Sequence, residues 1–131
     1  MDRVRMLTKA DYGIIASYWA FHGKALAPEV LYPASTSYAL ERDGRILYAI
    51  ALQKIEGLEG AYVEGLIRDP LREADPEALK AIFAYMENQA KSLGCKHLVG
   101  SAENSYLANK YTELGYNMSM GLYHVVMKEL R

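Results

Sequence analysis

Asp43-Gly44 stands between two alternating runs, Tyr38, Leu40 and Arg42 before it and Ile46, Tyr48, Ile50 and Leu52 after it. An Asp-Gly pair enters the positive-φ region of a two-residue hairpin turn with little strain, so the flanking runs predict antiparallel strands. Glu56 to Gly60 reads as a second turn and Ala61 to Arg68 as a third strand of this meander, closed by Pro70. A long helix follows. Asp75 is placed to cap it and Pro76 to occupy its first position, where a missing N–H costs little. Ala78, Leu79, Ile82, Phe83, Met86, Ala90 and Leu93 form its apolar stripe, and Gly94 ends it. His97 to Ser101 then reads as a short buried strand. A meander followed by a strand–helix–strand crossover needs both antiparallel and parallel pairings, so the sheet is mixed. That excludes a helix bundle and an all-parallel doubly wound sheet.

The remaining elements complete the order β-α-loop-β-β-β-α-β-α-β-β. Arg3 to Leu7 is a short strand. Thr8 and Asp11 have the spacing of a capping box, followed by Ile14, Ile15, Tyr18, Trp19 and His22 at helical spacing and by Gly23. Lys24 to Ser37 carries Pro28 and Pro33 and reads as loop with room for one helical turn. A helix from Asn104 to Leu114 stops at Gly115. Two last strands lie at Tyr116–Met118 and Leu122–Met127, with a turn at Ser119 to Gly121. No internal repeat or linker interrupts 131 residues, which fit a single domain.

Composition narrows the function classes. Fifteen Lys and Arg against sixteen Asp and Glu leave a net charge of −1, without the basic surplus that phosphate-backbone binding needs. Nucleic acid is therefore not expected as a partner. The longest apolar stretch, Ile46 to Leu52, is far short of the roughly 20 residues that cross a bilayer, so no membrane partner is expected either. Met1-Asp2-Arg3-Val4-Arg5 leads into no apolar signal region, and Cys95 is the single cysteine, so a cytoplasmic location is the expectation. His22, His97 and His124 are scattered and no metal site is expected.

With these elements in order, the chain resembles the GNAT superfamily of acetyl-CoA-dependent N-acetyltransferases. Members often carry an Asn, a Tyr seven residues on, then a Gly followed by an aromatic residue four beyond that; Asn104, Tyr111, Gly115 and Tyr116 fall at those spacings. Ile67-Arg68-Asp69-Pro70 resembles the end of the family's fourth strand. The resemblance implies a single α/β (α+β) domain over 1–131, with a mostly antiparallel mixed sheet and helices on both faces. It implies acetyl-CoA as co-substrate, a small-molecule or peptide amine as acceptor, and no metal. It also implies a slot in a splayed sheet that strands three and four leave open, facing the start of the long helix. The final hairpin and the eleven tyrosines could supply the face of a homodimer.

Carried over residue by residue, the resemblance makes Tyr111 the acid that protonates the leaving sulfur, a task suited to an O–H whose pKa lies near that of a thiol. Packing of its helix against the sheet is the alternative role. Glu64, on the strand bordering the expected cleft, is the candidate base for the amine or else a solvent-facing strand residue. The backbone of Leu66, Ile67 and Arg68 is the candidate pantetheine cradle, which a strand bulge would support. Asn104 contacts the cofactor or caps the helix it begins.

One family motif departs. R/Q-x-x-G-x-G/A, whose backbone N–H groups cradle the CoA diphosphate at a helix N-terminus, is represented here by Glu73-Ala74-Asp75-Pro76-Glu77-Ala78. Ala78 alone fits; starting at Arg72 restores a basic residue but no glycine. Pro76 has no N–H to donate. Asp75 and Glu77 would each oppose a diphosphate by about 1 kcal/mol in water-like surroundings. A lost donor adds about 1–3 kcal/mol. Two readings follow: an N-acetyltransferase, and a non-catalytic GNAT-like domain that has lost CoA binding and acts through protein–protein contacts. Arg68, Arg72 and Lys80 are the cations available to offset the carboxylates.

Overall fold

The computed structural model describes residues 1–24, 28–55, 57, 59–102, 105–118 and 124–130. In chain order they form β1 (Asp2–Met6), a 3-10 turn (Lys9–Asp11), α1 (Tyr12–Phe21), α2 (Pro28–Leu31), β2 (Ser37–Arg42), β3 (Arg45–Ile55) and β4 (Gly60–Arg68). Then come α3 (Pro76–Ser92), β5 (His97–Ala102), α4 (Ser105–Glu113), β6 (Asn117–Met118) and β7 (His124–Glu129). The strands make one mixed, mostly antiparallel sheet in the order β1-β2-β3-β4-β5-β7-β6. Pairing is antiparallel for β1–β2, β2–β3, β5–β7 and β6–β7, and parallel for β4–β5.

The hairpin forms where the Asp-Gly pair predicts it, with φ of 53° at Asp43 and 76° at Gly44. Its second strand is not half-exposed: every residue from Ile46 to Leu52 is buried. Leu47, Ala49 and Ala51 fill the face that simple alternation would leave to water. The Thr8–Asp11 box also forms, the Asp11 carboxylate accepting from the Thr8 N–H at 2.7 Å. It caps the 3-10 turn, with α1 beginning just beyond. The loop from Lys24 to Ser37 contains one helical turn, α2. Asn104, the turn at 119–121 and Leu122 lie outside the described residues.

The contacts divide the chain into two compact units, with boundaries inside β3, β4 and α3. Met1–Leu52 and Gly65–Met86 form the first, whose core clusters Leu7, Ile15, Trp19, Tyr32, Ala49 and Ile67 with their neighbours. Gln53–Glu64 and Glu87–Arg131 form the second, where Val63, Leu98, Ala108, Tyr111, Tyr116 and Val126 are buried.

One expectation is corrected. β3 and β4 are hydrogen-bonded neighbours, so strands three and four leave no opening. The ladder that stops short is β4–β5. It runs from Gly60↔His97 to Val63↔Gly100, while β4 continues to Arg68 and β5 to Ala102. A hairpin partner follows β3 immediately, whereas β4 and β5 are joined only through a long crossover and need not pair along their whole lengths.

Candidate functional site

Within the first unit, the distal half of β4 begins at Gly65, whose φ is +70° inside a strand. A Cβ there would stand 2.8 Å from Leu31 Cδ2 and 3.0 Å from the Tyr32 hydroxyl, so only glycine fits. Tyr32, fully buried, donates its hydroxyl to the Gly65 carbonyl and accepts from Trp19 Nε1 at 3.0 Å. Tyr12 donates in turn to the Tyr32 carbonyl. The positive φ thus falls at Gly65, just before Leu66–Arg68, and its carbonyl is held by Tyr32, whose ring meets Trp19 edge-on at 6.3 Å between centroids. Ile67 points into the core, Leu66 and Arg68 are half-buried, and His22 Nε2 lies 3.3 Å from the Arg68 carbonyl.

The turn after β4 is built around Asp69. This buried carboxylate accepts from the Leu71 N–H at 3.0 Å and from Arg45 at 3.2 Å, and Pro70 follows it as the second turn residue. Arg72 is exposed, with its N–H on the Asp69 carbonyl.

The start of α3 is where a CoA diphosphate would be held, and each first-turn donor there is accounted for. Pro76 has none. The N–H groups of Glu77 and Ala78 donate to Asp75 Oδ1 at 3.0 and 3.2 Å, and that of Leu79 to the Asp75 carbonyl at 3.0 Å. Asp75 Oδ2 accepts from Arg42 at 2.7 Å, and the same guanidinium holds Asp2 through bonds of 2.8 and 2.7 Å. Hydrogen bonding to Arg42, with the capped N–H groups behind it, lowers the Asp75 carboxyl from its ordinary value. The Asp75 N–H is also engaged, by the Tyr48 hydroxyl at 3.0 Å. Space is not the obstacle: a cleft of about 410 Å³ adjoins Arg42, Leu47, Leu71, Arg72, Asp75 and Pro76. These residues therefore do not fit a diphosphate in the family's manner. Ala78, the one motif residue retained, has a buried side chain, and its N–H is bonded to Asp75 Oδ1. Lys80 pairs with Glu77 at 3.6 Å on the surface.

In the second unit, Tyr111 on α4 reaches β5. A Cβ on Gly100 would lie 3.3 Å from its hydroxyl, so the phenol ends at the last rung of the β4–β5 ladder. Burial, with Tyr62 nearby, pushes its pKa up to about 12. This corrects the thiol-like pKa expected of it. The phenol therefore keeps its proton through the neutral range. Its ring meets Tyr116 edge-on, 5.1 Å between centroids. Tyr116 in turn donates to Glu87 at 3.3 Å, and Lys128 binds both Glu87 oxygens and the Leu114 carbonyl at 2.9–3.1 Å.

Glu64 follows the last residue of β4 that pairs with β5, and partial burial raises its carboxyl above the usual range. Cys95 is a buried free thiol. Trp19 is buried in the core while Phe21 is exposed. Among the described residues no group of three or more His, Cys, Asp or Glu could hold a metal ion, and no helix is long and apolar enough to cross a membrane.

No family model and no curated protein sequence matches the chain. Solved structures do. The chain is similar over its whole length to N-acetylglutamate synthase from Neisseria gonorrhoeae complexed with coenzyme A and N-acetyl-glutamate, at TM-score 0.81 and 15% identity, and spans 35% of that protein. It is similar to the ribosomal-protein-S18-alanine N-acetyltransferase from Escherichia coli at TM-score 0.76 and 16% identity, over 97% of this chain and 91% of the other. YncA from Salmonella typhimurium with its cofactor acetyl-CoA matches at TM-score 0.76 and 11% identity, over 100% and 95%.

Proposed function

Because this chain has the GNAT fold, we propose that it is an N-acyltransferase, moving an acetyl group from a thioester to the amine of a small molecule or peptide. The observation that carries the reading is the Tyr111 hydroxyl lying against Gly100, where the β4–β5 ladder ends. A buried hydroxyl donor at the last rung of that ladder is what a departing thiolate needs.

The chemistry divides among named groups. Leu66–Arg68, beyond Gly65, present backbone N–H and C=O groups to the amide-bearing arm of the donor. Glu64 takes a proton from the incoming ammonium, leaving the neutral amine that can attack; its raised carboxyl makes it a better base than an ordinary glutamate. The C–N bond forms, the C–S bond breaks, and Tyr111 donates a hydrogen bond, and then its proton, to the sulfur. Arg72 faces solvent beside the turn and is assigned to anionic parts of the acceptor.

The experiment incubates the chain with acetyl-CoA or acetyl-pantetheine and a panel of amines, amino acids and peptides, and reads acetylated products by mass spectrometry. One acceptor class is expected to react, and Tyr111→Phe to slow it at least about tenfold without changing donor affinity. Products formed equally by Tyr111→Phe would end the acid role. The self-capped α3 favours a second reading, a non-catalytic domain engaged in protein contacts, and absence of product with every acceptor would select it.

A further inference from the structure

We propose that this chain recognises its donor by the pantetheine arm alone, so that pantetheinyl thioesters lacking a nucleotide diphosphate bind it as well as CoA does. The proposal rests on the acyltransferase reading and adds the class of donor.

The argument is an inventory of donors at the start of α3. Four positions open the helix, and none has an N–H to spare: Pro76 lacks one, Glu77 and Ala78 give theirs to the Asp75 carboxylate, and Leu79 bonds the Asp75 carbonyl. The carboxylate already occupies the electrostatic role a phosphate would take at the positive end of the helix. It is secured on its other side. Arg42 grips Asp75 while holding Asp2 in a two-bond fork, so the guanidinium beside the cap is already matched by two carboxylates. Admitting a diphosphate would strip the cap from α3, expose two anions to a third, and leave Asp2 and Asp75 to compete for one guanidinium. The cleft beside them has room, so the exclusion comes from charge and bonding.

The arm-binding side is built in the opposite sense. Gly65 and its carbonyl are held by the neutral Tyr32 hydroxyl, itself bonded by Trp19 Nε1, and a backbone of N–H and C=O groups suits a neutral, amide-bearing chain.

The test is calorimetric titration of the full chain with pantetheine, with CoA and with adenosine 3′,5′-bisphosphate. Pantetheine and CoA are expected to agree within about threefold, the bisphosphate to compete with neither, and Asp75→Gly with Pro76→Gly to tighten CoA about tenfold or more while leaving pantetheine unchanged. CoA binding the wild type about tenfold more tightly than pantetheine would overturn the inference and leave the transferase reading standing. Binding of neither would overturn both. The wild-type comparison decides the matter even if the double variant folds poorly.

Discussion

The buried Tyr32 hydroxyl donates to the carbonyl of Gly65 at a point where a Cβ on Gly65 would stand 3.0 Å from that same oxygen. The bond and the absence of a side chain are one device. Residue 65 can adopt φ of +70° because it has no side chain, and a tyrosine bonded by Trp19 holds its carbonyl.

Gly65→Ala meets both left-handed backbone strain and the Leu31 and Tyr32 side chains, and is expected to destabilise the fold by about 1–3 kcal/mol. Tyr32→Phe keeps the ring but leaves the Gly65 carbonyl without its donor and Trp19 without its acceptor, a loss of about 1–3 kcal/mol. Urea unfolding midpoints measure both, and a midpoint unchanged by Gly65→Ala would mean that residue 65 is not held at positive φ.

Removing the α3 cap separates stability from donor recognition. Asp75→Ala leaves the Glu77 and Ala78 N–H groups without an acceptor and is expected to cost about 1 kcal/mol in chemical denaturation. Asp75→Asn keeps an acceptor oxygen and should cost less. Equal losses in the two variants would indicate that the charge on Arg42, and not the cap, is the stabilising feature.

Acid should act in part through Asp11. Arg5 holds this carboxylate with two 2.8 Å bonds and lowers its pKa from 3.8 to about 2. Since the folded value lies below the unfolded one, the stabilisation is complete above the unfolded pKa and is lost as pH falls through the folded one. Thermal melts between pH 5 and pH 2 should therefore steepen below about pH 4 in the wild type and flatten in Asp11→Asn. Parallel pH profiles would contradict the assignment.

Glu64 makes a prediction about rate. Its carboxyl is raised by burial, so the ionised base appears at higher pH than an ordinary glutamate would allow. Acyl transfer is expected to climb with pH through that raised value, and Glu64→Gln to remove the acidic limb while lowering the plateau by about 10²-fold or more. An unaltered limb in Glu64→Gln would assign the base elsewhere.

Much of this was legible where the signal is local. Asp43-Gly44, Asp75-Pro76, Gly94 and Gly115 act over a few residues, and each turn or helix end stands where its chemistry puts it. Gly65 carried a readable signal too, since a glycine inside a strand marks a bend or a close approach. Its neighbours in space, Tyr32 and Trp19, lie 33 or more residues away and give no local cue. The same holds for Arg42, which turns Asp75 from an exposed cap into part of a three-residue ion network. The strand pair whose ladder stops short was misplaced for a related reason: where the β4–β5 ladder ends is encoded by no periodicity.

Backbone amide NMR during a titration with pantetheine tests the central claim most directly. Saturable shifts at Leu66, Ile67 and Arg68, with the amides of Glu77 and Ala78 unmoved, are the predicted result. Shifts confined to the start of α3, or silence at all five amides in saturating ligand, would contradict it.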